Sequence, residues 1–372
     1  LISMKKSLVY VTNVSFLDTD LQIVNELNKR YLLIFVVLIP FVNVNLKEEE
    51  IKQFCLSNSI NLKIYRFTYR ASDPRNILKI FSLLSYVKKK NANVNYFTTS
   101  NIIYFNLLLP FYINRKRLIL AIHDVVNHFG VSKSRDIIDS FRNTLFINFH
   151  FFSNSQAQVF KKKFPKKKYF IAPLALKDFG PLPVVEKDNT KTNLLFFGSI
   201  RDNKGLEYLL NAVKLIDKES AKFKVTIVGN SKNFAKYSAL IEDKDLFDLN
   251  IRWISNDEIP LFFANADFLV LPYKDITQSG PLLISYNYNV PVIASKLPGF
   301  EEYIIHGKTG FLFTPLDSKD LAEKLEFAIN LKENERLIIR NNLRQYVMNN
   351  ISLSKIVEKY AIYFDKMCNV KI

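Results

Sequence analysis

Hydrophobic residues in the first half of the chain fall into short continuous runs. Segments 7–12, 32–38, 62–68, 93–97, 118–122, 148–152 and 169–172 are mostly apolar at successive positions, the pattern of strands buried on both faces. Between them, 21–29, 48–56, 74–88, 103–112, 136–144 and 156–164 read as helices. Apolar strands separated by helices predict a parallel sheet covered on both sides. Pro173, Gly180, Pro181 and Pro183 then interrupt both patterns, as an interdomain linker does. A second series follows, with strands at 194–197, 224–228, 251–253, 268–272, 292–294 and 310–313 and helices at 206–218, 237–246, 258–264 and 281–288. In 206–218, Leu206, Leu209, Leu210, Val213 and Ile216 recur on one helical face. Helices at 319–331, 333–349 and 352–368 complete the chain. The prediction is α/β: two doubly wound, Rossmann-like domains facing a cleft, with a ligand between the carboxyl ends of their strands. The expected division is a first domain at 1–178, a linker at 179–192, a second domain at 193–350, and a last helix at 351–372 returning to the first domain.

Composition adds limits. A chain of 372 residues, 48% hydrophobic and 23% charged, is globular and long enough for two domains. The longest apolar stretch, 31–39, stops at Pro40, well short of the ~20 residues of a membrane span. Residues 1–13 lack the apolar run of a secretory signal, and Met4 is a candidate start. Cys55 and Cys368 form no disulfide framework, so a reducing, cytoplasmic compartment is expected.

The net charge is +17, and it is unevenly placed. Residues 1–180 hold 27 Lys and Arg against 11 Asp and Glu, whereas residues 181–372 hold 25 against 24. The excess sits in Lys88–Lys90, Arg115–Arg117, Lys161–Lys163 and Lys166–Lys168. Charge alone fits either a solvated surface or adsorption to an anionic membrane or acceptor. Nucleic acid is not expected, because no zinc-finger spacing, recognition helix or aromatic RNA-binding motif accompanies the charge.

Three runs carry candidate chemistry. In the first, Phe197-Gly198-Ser199-Ile200-Arg201-Asp202-Asn203-Lys204-Gly205-Leu206 leaves a strand and enters a helix, so Arg201 and Lys204 stand beside a helix amino terminus, a phosphate site. In the second, Asp275-Ile276-Thr277-Gln278-Ser279-Gly280-Pro281-Leu282 leads into another helix with Pro at its start. Its amides and the Thr277 and Ser279 hydroxyls can hold a diphosphate or sugar hydroxyls. The third is Asn289-Val290-Pro291-Val292-Ile293-Ala294-Ser295, then Pro298-Gly299-Phe300-Glu301-Glu302 and Gly307–Leu312. Each alone is an ordinary strand–turn–helix junction.

In this order, across about 194–313, the runs resemble the donor domain of the group 1 glycosyltransferases (glycosyltransferase family 4). Val225–Gly229 and Ala266–Pro272 agree between them. The resemblance implies the two-domain GT-B fold and transfer of a hexose from a nucleoside diphosphate sugar, with retention and without a metal or other cofactor. The acceptor implied is a glycan or a lipid-linked precursor in bacterial surface polysaccharide synthesis, which puts the enzyme at the inner face of the cell membrane. It assigns Arg201, Lys204 and His123 to catalysis, and Gly198, Ser199, Asp275, Thr277, Gln278, Ser279, Gly280, Leu282 and Glu302 to the donor. Arg252, Trp253 and Ile254 are expected to border the base.

The departures from the family pattern are specific. Ser199 stands at the usual arginine, with Arg201 as its replacement, and Ile276 and Ile284 stand at the two usual glutamates. They keep two alternatives open: a non-catalytic sugar-nucleotide-binding subunit, and a nucleotide-sugar epimerase of the same fold. His128, His150 and His306 carry no comparable support, with His306 read as a turn cap. Asp18-Thr19-Asp20, placed in the first loop near acceptor, and Asp243-Lys244-Asp245, placed at a polar helix end, are not assigned to metal.

Overall fold

Most of the apolar runs form parallel strands buried on both faces. The structure is a computed structural model that describes residues 5–41, 48–71, 73–98, 103–125, 133–188, 190–217 and 222–369; His128 and Met4 lie outside them. The chain divides into two compact units, residues 1–175 with 352–372, and residues 176–351.

The first unit holds strands Ser7–Asn13 (β1), Leu32–Ile39 (β2), Asn61–Arg66 (β3), Val94–Thr98 (β4), Leu118–Ile122 (β5), Asn148–Phe151 (β6) and Lys168–Ile171 (β7). They pair in the order β3-β2-β1-β4-β5-β6-β7, all parallel. Its helices are Leu17–Arg30 (α1), Glu48–Ser57 (α2), Ile77–Lys90 (α3), Ile103–Tyr112 (α4), Lys133–Leu145 (α5) and Asn154–Lys163 (α6).

The second unit holds Thr192–Phe197 (β8), Phe223–Val228 (β9), Phe247–Asn250 (β10), Phe268–Leu271 (β11), Val292–Ser295 (β12) and Gly310–Phe313 (β13), ordered β10-β9-β8-β11-β12-β13. Its helices are Leu206–Leu215 (α7), Ala235–Ser238 (α8), Ile259–Asn265 (α9), Gly280–Asn287 (α10), Pro298–Glu301 (α11), Ser318–Ile329 (α12) and Glu333–Tyr346 (α13). Leu206, Leu209, Leu210 and Val213 of α7 are buried with Leu194, Val225 and Ile227, so the helical stripe meets the sheet it predicts. The strand order reverses between β8 and β11, where the loops after both strands leave the same carboxyl edge. Such a switch point is where open α/β sheets bind ligands.

The last helix, Leu353–Cys368 (α14), is part of the first unit. Tyr360 and Phe364 are buried against Tyr96, His150 and Phe170. No helix among the described residues is long and apolar enough to cross a membrane.

Three expectations are corrected. The strand placed at 251–253 is instead β10 at 247–250. This edge strand alternates apolar and polar residues, while Arg252 and Trp253 follow it exposed. The helix placed at 237–246 is reduced to α8 and a 3-10 turn at Lys244–Leu246. Asp243 accepts from the Asp245 amide at 3.2 Å, a local bond that competes with helix, so Asp243-Lys244-Asp245 caps a turn rather than ending a helix. Asp18-Thr19-Asp20 lies on α1, not in a loop, and Asp20 points into the core. There its carboxyl accepts from the hydroxyls of Tyr10 at 3.0 Å and Thr12 at 2.5 Å, so acceptor cannot reach it.

Candidate functional site

Backbone packing draws the loop after β8 onto its neighbours at the switch point. Gly205 has φ +62°, and a Cβ there would lie 2.0 Å from the Pro272 carbonyl oxygen. Gly229, with φ +142°, would put a Cβ 1.9 Å from the Gly198 oxygen. Only glycine permits these approaches. Gly198 in turn faces the Pro281 ring, and Gly299 lies against Thr277 and Ile276. The three runs therefore converge at one edge of the second sheet, although the first ends at Leu206 and the second begins only at Asp275.

Arg201 and Lys204 are the cations of this edge. Arg201 is exposed, and its Nε donates to the Ser199 hydroxyl at 3.2 Å. The Lys204 ammonium stands 3.7 Å from the centroid of the Tyr273 ring. Burial, then the nearby Arg201 charge, lower its pKa to about 8. Neither cation has a carboxylate partner among the described residues. The neighbouring carboxylates are engaged elsewhere: Asp202 pairs with Lys236, and Glu207 with Lys274 at 2.5 Å. Two unpaired cations, one desolvated, leave an uncompensated field that an anion can satisfy. A pocket of about 660 Å³ opens beside them, lined by Ser199, Arg201, Asn230, Ser231, Asn233 and Lys236.

The loop at 275–280 contributes in a different way. Ser279 is the N-cap of α10, its Oγ accepting from the Leu282 amide at 3.3 Å. The Ser279 side chain also lies beside the Tyr273 hydroxyl. Both Ser279 and the Leu282 amide are thus committed to capping, and the Leu282 side chain is buried. Gly280 begins the helix, against the Lys177 side chain. Gln278 is different, since both of its amide atoms are buried with no hydrogen-bond partner, a cost of about 1–3 kcal/mol unless a ligand supplies one. Asp275 is exposed and Thr277 half-buried. Ile284 is buried on α10, and Ile276 rests against Gly299, so neither offers a polar atom to a ligand. Glu302 is half-buried just past α11, its carbonyl accepting from the Tyr346 hydroxyl at 2.9 Å.

The base-proximal candidates stand past β10, the edge strand. Arg252 is bound to Glu258 through both terminal nitrogens, which holds the Glu258 carboxyl down at about 2. Its charge is spent there. Ile254 is half-buried, and Trp253, 62% exposed, is the free surface of the three. In the first unit, His123 follows β5, half-buried between the Phe16 and Phe152 rings. Its Nδ1 is 3.2 Å from Asp124. His306 accepts from the Leu312 amide at 3.0 Å and holds a turn. No group of three His, Cys, Asp or Glu is placed to hold a metal among the described residues.

Tyr273 was invisible to sequence reasoning. It is buried beneath Lys204, beside Ser279 and packed on Phe300 at 5.4 Å, so one side chain neighbours all three runs. Its only signal is its place just after a strand that ends at the switch point.

Comparison with known proteins bears on this edge. Residues 183–346 match the family model described as "Glycosyl transferases group 1". A 41.2 kDa protein of the cps region of Klebsiella pneumoniae is 29% identical over 178 residues, covering 47% of each chain. The capsular polysaccharide biosynthesis glycosyltransferase CapM of Staphylococcus aureus is 28% identical over 170 residues, 44% of this chain and 43% of its own. The aligned region thus spans about half the length of these curated relatives. A glycosyltransferase from Rickettsia africae shares the fold, with a TM-score of 0.75 at 16% identity over 99% of this chain and 100% of its own.

Proposed function

Residues 183–346 belong to the group 1 glycosyl transferases, and from that premise we propose that the protein moves a hexose from a nucleoside diphosphate sugar to a glycan or lipid-linked acceptor. The setting that fits is surface polysaccharide assembly, given the cps-region and capsular relatives. The observation that carries the reading is the unpaired Lys204–Arg201 couple at the switch point. Charge builds on the departing diphosphate as the glycosidic bond breaks, and preorganised cations stabilise it by several kcal/mol in a water-poor site. A leaving phosphate oxygen then takes the acceptor's proton, so transfer proceeds with retention and needs neither a carboxylate base nor a metal. Gln278, with its buried amide unpartnered, reads sugar hydroxyls where Ile276 and Ile284 cannot. Trp253 offers its exposed face to the base. The basic first unit faces an anionic membrane surface.

The test is calorimetric titration of UDP-, GDP-, ADP- and CMP-sugars, followed by turnover with acceptor. Lys204→Ala is expected to lower kcat/KM by about a hundredfold or more; wild-type turnover in that variant rejects the phosphate role. Gln278→Leu should keep nucleotide affinity but lose preference among sugars, and an unchanged preference removes it from sugar reading. The buried, apolar character of Ile284 favours a second reading, a donor-binding subunit without transfer; it predicts donor binding with no product under any acceptor.

A further inference from the structure

In a parallel α/β sheet every strand begins, and every preceding helix ends, on the amino edge. In the first unit that edge collects Lys29 and Arg30 at the end of α1, Lys88–Lys90 at the end of α3 and Arg115–Arg117 before β5. It also collects Lys161–Lys163 at the end of α6 and Lys168 at the start of β7. The charge excess of the chain therefore lies opposite the carboxyl edge that carries His123. Cations at helix ends are favoured by the helix dipole, which accounts for several of them. It does not account for a pocket among them.

That pocket, about 560 Å³, is lined by Lys116, Lys168 and Lys366, with Tyr169, Tyr363 and Met367 as its apolar and aromatic surface. Lys167 also lines it, but its ammonium is held by the carbonyls of Thr144 at 2.6 Å and Phe146 at 2.5 Å. The ammonium groups of Lys116, Lys168 and Lys366 have no ion pair or hydrogen bond with any described residue. Asp365, next to Lys366, is taken by Lys6 at 3.3 Å and Tyr31 at 3.1 Å. Three like charges around one concavity, without a carboxylate, repel one another unless an anion enters.

We propose that this pocket binds the phosphate ester of an amphipathic molecule, its phosphate on the three lysines and its apolar part against Tyr169, Tyr363 and Met367. A compact multivalent anion suits three flexible point charges, and the two tyrosines give a wall that inorganic phosphate does not use. The ester comes either from a bilayer phospholipid or from a soluble ligand. This locates the membrane part of the proposed function on particular residues and is independent of the donor chemistry.

The full chain is compared with two triple variants of equal charge: Lys116→Gln/Lys168→Gln/Lys366→Gln in the pocket, and Lys161→Gln/Lys162→Gln/Lys163→Gln elsewhere on the amino edge. Probes are mixed phosphatidylglycerol–phosphatidylcholine vesicles, phosphatidylcholine vesicles, and a short-chain phosphatidic acid below its micelle concentration. The pocket variant is expected to lose about tenfold or more in affinity for anionic vesicles or for the soluble ester, and the other variant markedly less. Binding of vesicles alone assigns the bilayer source; binding of the soluble ester alone assigns a free ligand. Equal losses in the two variants mean diffuse charge and overturn the proposal, as does a wild type that binds neither probe. Hydrogen exchange at β5, β6 and α14 amides of both variants reports folding of the first unit, and nucleotide-sugar binding, read in parallel, keeps the outcome separate from that of the Lys204 test.

Discussion

Lys204 is the residue at which burial and charge conflict most directly. Its ammonium stands over Tyr273 with no carboxylate partner among the described residues, and desolvation with Arg201 lowers its pKa to about 8. A bound diphosphate favours the charged form and raises that value again. Donor binding near pH 8 should therefore take up protons, and affinity should weaken as pH rises through about 8, where the free enzyme loses the charge. Lys204→Arg, whose guanidinium does not titrate there, should flatten the dependence even if it binds less well. Calorimetry in buffers of different ionisation enthalpy measures the uptake. Wild-type affinity that stays constant over roughly pH 7 to 9 would show that Lys204 does not meet the diphosphate.

At the scale of elements, Asp267 ties the start of the second unit to its sheet and to α13. Its carboxylate meets Lys187 at 2.7 Å and Arg340 at 3.1 Å, and accepts the Asn193 amide at 2.8 Å. Lys187 lies in the proline-rich stretch before β8, Asn193 in β8 and Arg340 on α13. Asp267→Ala leaves these groups without their acceptor. Because the two cations keep partial access to water, the loss expected is about 2–4 kcal/mol, below that of a sealed pair. Hydrogen exchange at β8 and β11 should quicken accordingly, and unchanged protection there would refute the role.

The same residue shows what the sequence exposes and what it conceals. The run 268–272 reads as a strand because its apolar residues are continuous, but nothing there says that the adjoining Asp267 will meet Lys187, 80 positions earlier. Arg201, Lys204 and the glycines were legible because the loop after a strand and before a helix has few destinations. Tyr273 was not, since an aromatic after a strand reads as core until the fold puts Lys204 over it. β10 was missed because an edge strand is half exposed and its pattern is weak. Asp20 was misplaced because the Asn13-capped turn at Val14–Phe16 runs straight into α1, starting the helix before the acidic residues.

Over the whole molecule, the first unit keeps two buried groups whose titrations oppose one another. Burial raises the Asp20 carboxyl from 3.8 to about 7, against the bonds from Thr12 and Tyr10 that lower it. Burial lowers His150 from 6.5 to about 3, although its bond to the Ala172 carbonyl favours the charged form. For Asp20 the native state binds more protons than the unfolded chain between about 4 and 7, so stability falls as pH rises through that window. For His150 the unfolded chain binds more protons between about 3 and 6.5, so stability rises over nearly the same range. The two shifts act in opposite directions over nearly the same range, so each offsets the other. Asp20→Asn removes one arm while its side-chain oxygen can still accept from Tyr10 and Thr12, so stability should then climb by several kcal/mol from about pH 4 to 6.5. His150→Gln should give the opposite slope. The measurement is hydrogen exchange at β1, β4 and α14 amides, corrected for intrinsic rates, because a two-unit chain need not unfold in one step. Parallel pH profiles in the wild type and both variants would mean that neither group titrates on unfolding, and opposed slopes would show a core whose indifference to acid is a balance of two costs.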